Sequence, residues 1–88
     1  MRELYIMLEI LKLKNKMVDI GLFYYIENGI VLEEQKRNFI IYNTKNGIES
    51  NRRICSNIKD ACVDILKRID NSLISNYLEL CNVIKEDR

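Results

Sequence analysis

The stretch from Phe39 to Ile69 constrains the fold more than any other part of the chain. It begins with an apolar run at residues 39–42, passes through Asn46-Gly47, continues as the polar segment Ile48–Cys55 and ends in a periodic helix. Asn-Gly is the strongest short-range signal for a two-residue hairpin, because both residues tolerate a positive φ. A strand, a hairpin turn, a second strand and a helix in succession predict a small α+β core.

The helix at the end of this stretch has strong amphipathic character. Ser56 is a candidate N-cap, and Asp60 lies in the first turns, where a carboxylate suits the helix dipole. The apolar residues that share one face are Ile58, Cys62, Ile65, Leu66 and Ile69. Asp70–Ser72 is a weak break, after which a helical stripe resumes at Leu73. The sequence leaves open whether residues 70–88 extend this helix or form a separate one.

The N-terminal half predicts one helix and two strands. Leu4, Met7, Leu8 and Leu11 form an apolar stripe within a helix predicted over residues 2–17. The aromatic and β-branched run Leu22–Ile26 predicts a strand, and Asn28-Gly29 predicts a hairpin into a second strand, Ile30–Glu34.

The two further strands are predicted at Phe39–Thr44 and at Ile48–Cys55, the latter at an edge because its residues alternate poorly. The prediction is therefore a single α+β domain over residues 1–88. It has an N-terminal helix, a three- to four-stranded antiparallel meander, an amphipathic helix and a C-terminal helix.

Composition narrows the class of protein. The chain has 88 residues, a net charge of +1, and 48% hydrophobic and 31% charged residues, which is typical of a soluble globular domain. Its three cysteines lack a Cys-x-x-Cys spacing, which favours free thiols in the cytoplasm over a disulfide scaffold. No apolar run reaches the roughly 18 residues of a membrane span. The apolar segment 6–13 is interrupted by Glu9 and lacks a cleavage site, so it predicts a helix and not a signal peptide.

The chain contains few of the residue types that catalysis uses most. The chain has no histidine, which removes the commonest general base and metal ligand. Its three glycines fall in predicted turns, so no phosphate-binding loop is present. Glu33 and Glu34 are neighbours on a strand and point to opposite faces, so they cannot converge on one substrate atom. The sequence predicts a protein that is not an enzyme and that holds neither a metal ion nor a cofactor.

Two basic clusters, Lys36-Arg37 and Arg52-Arg53, suggest a nucleic-acid patch to which Tyr24, Tyr25 and Tyr42 would add aromatic surface. The alternative is a charged loop and an edge strand protected against aggregation. The order helix, meander, helix resembles that of double-stranded RNA-binding domains. Those domains hold phosphates with several lysines at the start of the last helix, where this chain has only Lys59. Nucleic-acid binding is therefore an alternative hypothesis.

A second resemblance is to small immunity proteins of bacterial polymorphic toxin and contact-dependent inhibition systems. It is carried by the Leu-rich first helix, the strand Phe39–Tyr42 with its turn Asn43–Gly47, and Ala61-Cys62 in the following helix, and it covers residues 3–69. The resemblance implies a cytoplasmic protein that neutralises a cognate toxin, such as a nuclease, in a stoichiometric complex. The acidic residues expected to pair with basic groups of the toxin are Glu33, Glu34, Asp60 and Asp64. A homodimeric adaptor that associates through its first or last helix is a further alternative.

Overall fold

The computed structural model describes residues 2–86 of the chain. Its elements are α1 (Arg2–Leu13), β1 (Ile20–Leu22), β2 (Gly29–Gln35), β3 (Asn38–Lys45), β4 (Ile48–Cys55), α2 (Ile58–Ile69) and α3 (Leu73–Glu86). This α+β order confirms the predicted fold class. The chain divides into two compact units, one formed by residues 18–61 and the other by the chain before Val18 together with the chain from Cys62 onward.

The first unit is an open four-stranded sheet with the order β1-β2-β3-β4. The pairs β2–β3 and β3–β4 are antiparallel, whereas β1 lies parallel to β2 with Ile20 opposite Ile30. The apolar run Phe39–Tyr42 of the central strand β3 is buried along its whole length. Only Cys55 of β4 is buried, as expected of the edge strand that the sequence predicts.

The hairpin between β3 and β4 follows the predicted turn chemistry. Asn46 and Gly47 take φ values of 52° and 78°, the two positive values that a type I′ turn requires. Farther along, the pairing slips between Ile41 and Asn43, and Asn51 takes a φ of 55°. This β-bulge breaks the regular alternation of β4, which explains why the strand alternates poorly in sequence.

The predicted first strand, Leu22–Ile26, and the predicted hairpin at Asn28-Gly29 are wrong. β1 ends at Leu22, and Phe23 turns the chain away from the sheet with a φ of 69°. Residues 23–28 instead form a short crossover loop that returns the chain to the start of β2, so that β1 and β2 run parallel. Parallel strands usually need a connection of about a dozen residues or more.

Contacts with the rest of the sheet hold this crossover loop in place. The side chain of Ile26 packs against the buried cluster of Val31, Ile40 and Tyr42. Hydrogen bonds attach the loop to the β3–β4 hairpin: Thr44 Oγ1 to Ile26 O (2.9 Å), Gly47 N to Glu27 O (3.0 Å), Asn46 N to Asn28 Oδ1 (2.9 Å) and Tyr25 Oη to Gly47 O (3.3 Å). Of the loop residues, Ile26 covers the sheet, whereas Phe23, Tyr24 and Tyr25 remain exposed.

Two glycines allow so short a crossover. A Cβ atom at Gly21 would lie 2.2 Å from the carbonyl oxygen of Tyr24, and one at Gly29 would lie 2.3 Å from that of Asp19. Gly29 also has a φ of 147°, which side chains rarely permit. Any larger residue at either position would push the loop backbone away from the strands.

In the second unit, α1 ends at Leu13 and not at Met17 as predicted. Asn15 takes the left-handed conformation with a φ of 54°. Lys16 N then donates to Leu11 O at 2.8 Å and Asn15 N to Lys12 O at 3.1 Å, which together form a Schellman motif. An asparagine thus performs the terminating role that glycine usually has.

Helices α1 and α3 contact each other, and the fully buried Tyr77 links them by donating a hydrogen bond to the carbonyl oxygen of Glu3 at 3.3 Å. α3 is a separate helix, which settles the alternative that the sequence leaves open. The break forms because the carboxylate of Asp70 accepts hydrogen bonds from the amide (3.0 Å) and hydroxyl (2.8 Å) of Ser72. These bonds to the charged form lower the pKa of Asp70, which also forms a 3.6 Å ion pair with Lys16.

The predicted N-cap of α2 is one residue too early. Asn57, and not Ser56, caps the helix: its Oδ1 accepts a hydrogen bond from Asp60 N at 2.8 Å, while its Nδ2 donates to Asp60 Oδ2 at 3.1 Å. Asn57 is thus a side-chain N-cap, and a further bond joins its side chain to that of Asp60. None of the helices in the described part of the chain is long and apolar enough to cross a membrane.

Replacing either crossover glycine should destabilise the sheet. We expect Gly21→Ala and Gly29→Ala each to lower the free energy of unfolding by about 2 kcal/mol or more, because the added Cβ overlaps backbone atoms that cannot yield cheaply. Urea denaturation followed by circular dichroism measures the loss. Gly47→Ala is the matched comparison: its Cβ meets only the Tyr25 hydroxyl at 3.4 Å, so it should lose only the roughly 1 kcal/mol of a left-handed backbone. Equal losses of stability at all three positions would contradict the close approach of backbone atoms to Gly21 and Gly29.

Candidate partner-binding surface

Charge is divided between the two halves of the sheet. Residues 18–35, which contain β1, the crossover loop and β2, include no lysine or arginine and four acidic residues: Asp19, Glu27, Glu33 and Glu34. Residues 36–55, which contain β3 and β4, include five basic residues and only one acidic residue, Glu49. The small net charge of the chain therefore hides an acidic half and a basic half of one sheet.

The first of two grooves in the acidic half lies where β2 ends. Phe23, Glu33, Glu34 and Gln35 line it, and its volume is about 450 Å³. Phe23 is 43% exposed, so an apolar side chain is accessible to solvent in a groove that two glutamates of β2 also line. We call this site the Phe23 groove.

Glu33 is also tied to the buried side of the sheet. Its carboxylate lies near the hydroxyl of Tyr42, a diagonal neighbour on the adjacent strand. Burial of Tyr42, together with the nearby Glu33 carboxylate, raises the pKa of that hydroxyl. Glu34 is exposed and follows Glu33 on the strand, so the two point to opposite faces. Both residues nevertheless line the groove at the end of β2.

The second groove lies beside the crossover loop itself. Its lining residues are Asp19, Ile20, Tyr24, Ile26, Glu27 and Asn28, and its volume is about 340 Å³. Tyr24 is 60% exposed and is followed by Tyr25, which is half exposed. We call this site the Tyr24 groove. Exposed aromatic side chains in succession are typical of binding surfaces, because aromatic residues provide the anchors of protein interfaces.

We refer to the acidic and aromatic residues of the two grooves, Asp19, Phe23, Tyr24, Glu27, Glu33 and Glu34, collectively as the acidic–aromatic surface; the Tyr24 groove lies near the start of β2 and the Phe23 groove near its end. The backbone beneath it is held by the crossover glycines and by the hydrogen bonds to the β3–β4 hairpin. A surface that is already ordered loses less conformational entropy when a partner binds.

The two acidic residues predicted on α2 do not share an exposed face. Asp60 is exposed, but its carboxylate accepts a hydrogen bond from the side chain of Asn57, the N-cap of α2. Asp64 is buried, and its carboxylate accepts a hydrogen bond from Arg68 Nε at 2.8 Å one turn later. The expectation that Asp60 and Asp64 form one exposed acidic pair is therefore wrong, because Asp64 is paired within its own helix.

The four predicted basic residues lie in different settings. Lys36 and Arg37 form the exposed turn between β2 and β3. Arg52 forms an ion pair with Glu49 and lies over the ring of Tyr42, with its guanidinium carbon 5.7 Å from the ring centroid.

Arg53 is opposite Ile41 in the register and follows Arg52 on the strand, so the two arginines point to opposite faces of the sheet. The structure therefore does not gather all four basic residues on one face. Tyr42 is buried and serves the core, and Tyr24 and Tyr25 belong to the acidic half.

The thiol of Cys62 in the second unit is buried and protonated at neutral pH. Cys62 is fully buried, and burial raises the pKa of its thiol to about 11. The hydroxyl of Tyr77 lies beside the thiols of Cys62 and Cys81, and burial and these neighbours raise the pKa of Tyr77. Among the described residues no three Cys, Asp or Glu side chains come together in a group that could hold a metal ion.

Sequence reasoning did not identify Asp19, Phe23, Tyr24 and Glu27 as members of one surface. A usable signal was present: no basic residue occurs between Lys16 and Lys36, while four acidic ones do. The aromatic run Leu22–Ile26 also fits a strand, and a strand does not predict that Phe23, Tyr24 and Tyr25 are exposed in succession. An acidic segment that also contains consecutive aromatic residues is the pattern that would have indicated this surface.

Comparisons with known proteins found no match for this chain. No protein-family model matches the chain. No curated protein and no solved structure gives a significant match either. The resemblances to double-stranded RNA-binding domains and to small immunity proteins therefore rest on the sequence alone.

The buried thiol of Cys62 should make the fold less stable at alkaline pH. The Cys62 pKa rises from 9.0 to about 11 on folding, so between these values the unfolded chain loses a proton that the folded chain retains. The free energy of unfolding should therefore fall as pH rises from 9 to 11, by about 2–3 kcal/mol for this group. Urea unfolding at several pH values measures the slope. Cys62→Ala should flatten it, whereas Cys81→Ala, the control, should not; an unchanged slope in Cys62→Ala would contradict the assignment.

Proposed function

We propose that the protein binds a basic protein toxin in a stoichiometric complex and thereby neutralises it, as the immunity proteins that it resembles do. The observation that supports this proposal best is the acidic–aromatic surface on the first half of the sheet. It presents four carboxylates, no cation and two exposed aromatic rings on a held backbone. The proposed activity is binding and not catalysis.

The charge of this surface favours a basic partner over other proteins. Opposite charges on two partners accelerate their encounter by about 10- to 1,000-fold at low ionic strength, and like charges suppress wrong partners. A nuclease must present basic residues to hold phosphate groups, so it carries the charge that the four carboxylates complement. The near-neutral chain can act in this way because four of its carboxylates lie in a half of the sheet that contains no lysine or arginine.

The Phe23 groove is the proposed centre of the contact. Interface energy is concentrated in a few aromatic or arginine anchors that are surrounded by polar residues. Phe23 fits this description, since it is partly exposed and lines a groove together with Glu33 and Glu34. We place the ring in an apolar recess of the toxin, with the exposed Glu34 carboxylate facing a basic group at the edge of that recess.

Co-expression with the product of the gene immediately upstream tests the function. A tight one-to-one complex with a product that is toxic by itself is the expected result. Absence of both the complex and the toxicity would contradict the proposal. A nucleic-acid binder would instead show salt-sensitive binding to double-stranded RNA, and a homodimer would show self-association in sedimentation.

Variants of the Phe23 groove test the surface. In the complex, Phe23→Ala should weaken affinity by about 2 kcal/mol or more, chiefly through faster dissociation. The double change Glu33→Lys and Glu34→Lys should slow association about 10-fold or more at low salt. Surface plasmon resonance separates the two rate constants. Glu79→Lys, which reverses an exposed charge on α3, is the matched control and should leave both unchanged. If the groove variants behave like Glu79→Lys, the toxin binds elsewhere.

A further inference from the structure

We propose that the Tyr24 groove is a subsite for one basic side chain, preferably an arginine, presented by a partner protein. The inference deepens the proposed function, on which it rests, because it names the group that this second part of the acidic–aromatic surface would receive. The groove is separate from the Phe23 groove in its lining residues, and no residue is shared between them.

The walls of the groove match the two parts of an arginine side chain. Ile20 and Ile26 provide apolar surface for the methylene groups, and the exposed ring of Tyr24 provides a face for the cation. A guanidinium group over a tyrosine ring is attracted by the electron density of its face. The long stems of basic side chains routinely cover apolar surface while the charged end stays near water.

Two carboxylates supply the charge complementarity. Asp19 and Glu27 line the same groove, and within residues 2–86 neither side chain takes part in a hydrogen bond or an ion pair. Asn28 also lines the groove, and its side-chain oxygen accepts a hydrogen bond from Asn46 N. The two carboxylates are the charged groups of the lining, and a cationic donor satisfies them.

Size and donor geometry favour arginine over other cationic ligands. A volume of about 340 Å³ lies at the lower end of the range of small-molecule sites and suits a single side chain. Arginine can stack its plane on Tyr24 and still direct several N–H groups to carboxylates, whereas lysine offers a compact charge without a stacking plane. We therefore expect arginine to bind more tightly than lysine.

The subsite can be tested with a small probe before any partner is known. The measurement is a two-dimensional ¹H–¹⁵N NMR titration of the full chain with N-acetyl-arginine amide. Its uncharged isostere, N-acetyl-citrulline amide, serves as the matched probe. We expect saturable shifts confined to the residues of the Tyr24 groove with the arginine probe, and smaller shifts with the lysine analogue. Equal shifts with citrulline, or shifts spread over the whole chain, would overturn the proposal.

Variants provide the second arm of the test. Tyr24→Ala should weaken the arginine probe about 2- to 5-fold, as expected for loss of one exposed cation–π contact, whereas Tyr24→Phe, which keeps the ring, should not. Asp19→Asn combined with Glu27→Gln should weaken it further, with Glu79→Gln as the control. The NMR spectrum of each variant also reports whether it folds. Unchanged affinity in folded Tyr24→Ala and in the folded double variant would overturn the subsite.

The two proposals fail in different ways. If the arginine probe binds as described but the upstream gene product forms no complex, the subsite stands and the toxin partner is wrong. If the complex forms while the probe does not bind and Tyr24→Ala leaves the affinity of the complex unchanged, the toxin partner stands and the subsite is wrong.

Discussion

The close approach of the crossover loop to its own strands is the constraint on which the sheet unit depends. At Gly21 and Gly29 the backbone comes so near that a single added carbon would overlap a carbonyl oxygen. This contact allows a short loop to join two parallel strands, a connection that usually needs a helix. It also fixes which side chains of the loop turn inward: Ile26 covers the apolar cluster, while Phe23 and Tyr24 are left exposed.

The β3–β4 turn has a second role because of this loop. Asn46 and Gly47 close the hairpin, and their backbone atoms also hold Asn28, Glu27 and Tyr25. The geometry of the acidic half of the sheet thus depends on a turn that belongs to the basic half. A change at this turn would disturb the aromatic surface without touching any residue that a partner contacts, so stability and recognition are coupled in this unit.

The parts of the fold that sequence could predict are those with local signals. The hairpin at Asn46-Gly47, the edge strand and the amphipathic helix each have their signal within a few residues. The Leu22–Ile26 run and Asn28-Gly29 fit a hairpin equally well, and only distant contacts, such as Thr44 with Ile26, decide for a crossover loop. Likewise, helical spacing places Asp64 on the polar face of α2. It does not reveal that the Asp64 side chain is buried and forms an ion pair with Arg68. Of the four acidic residues predicted to bind a partner, the two on β2 lie on the proposed surface.

A net charge of +1 might suggest that electrostatics contributes little to recognition, but the arrangement of the charges argues otherwise. At physiological ionic strength charges are screened over about 8 Å, so an approaching partner feels the nearby half of the sheet more than the whole chain. An acidic half beside a basic half therefore produces local fields of opposite sign whose sum is small. In the proposed complex, charge of this kind would set the rate and orientation of encounter, whereas the exposed rings of Phe23 and Tyr24 would supply the contacts that slow dissociation. Selectivity among basic partners would then depend on the fit of the two grooves, because every basic partner satisfies the charge alone.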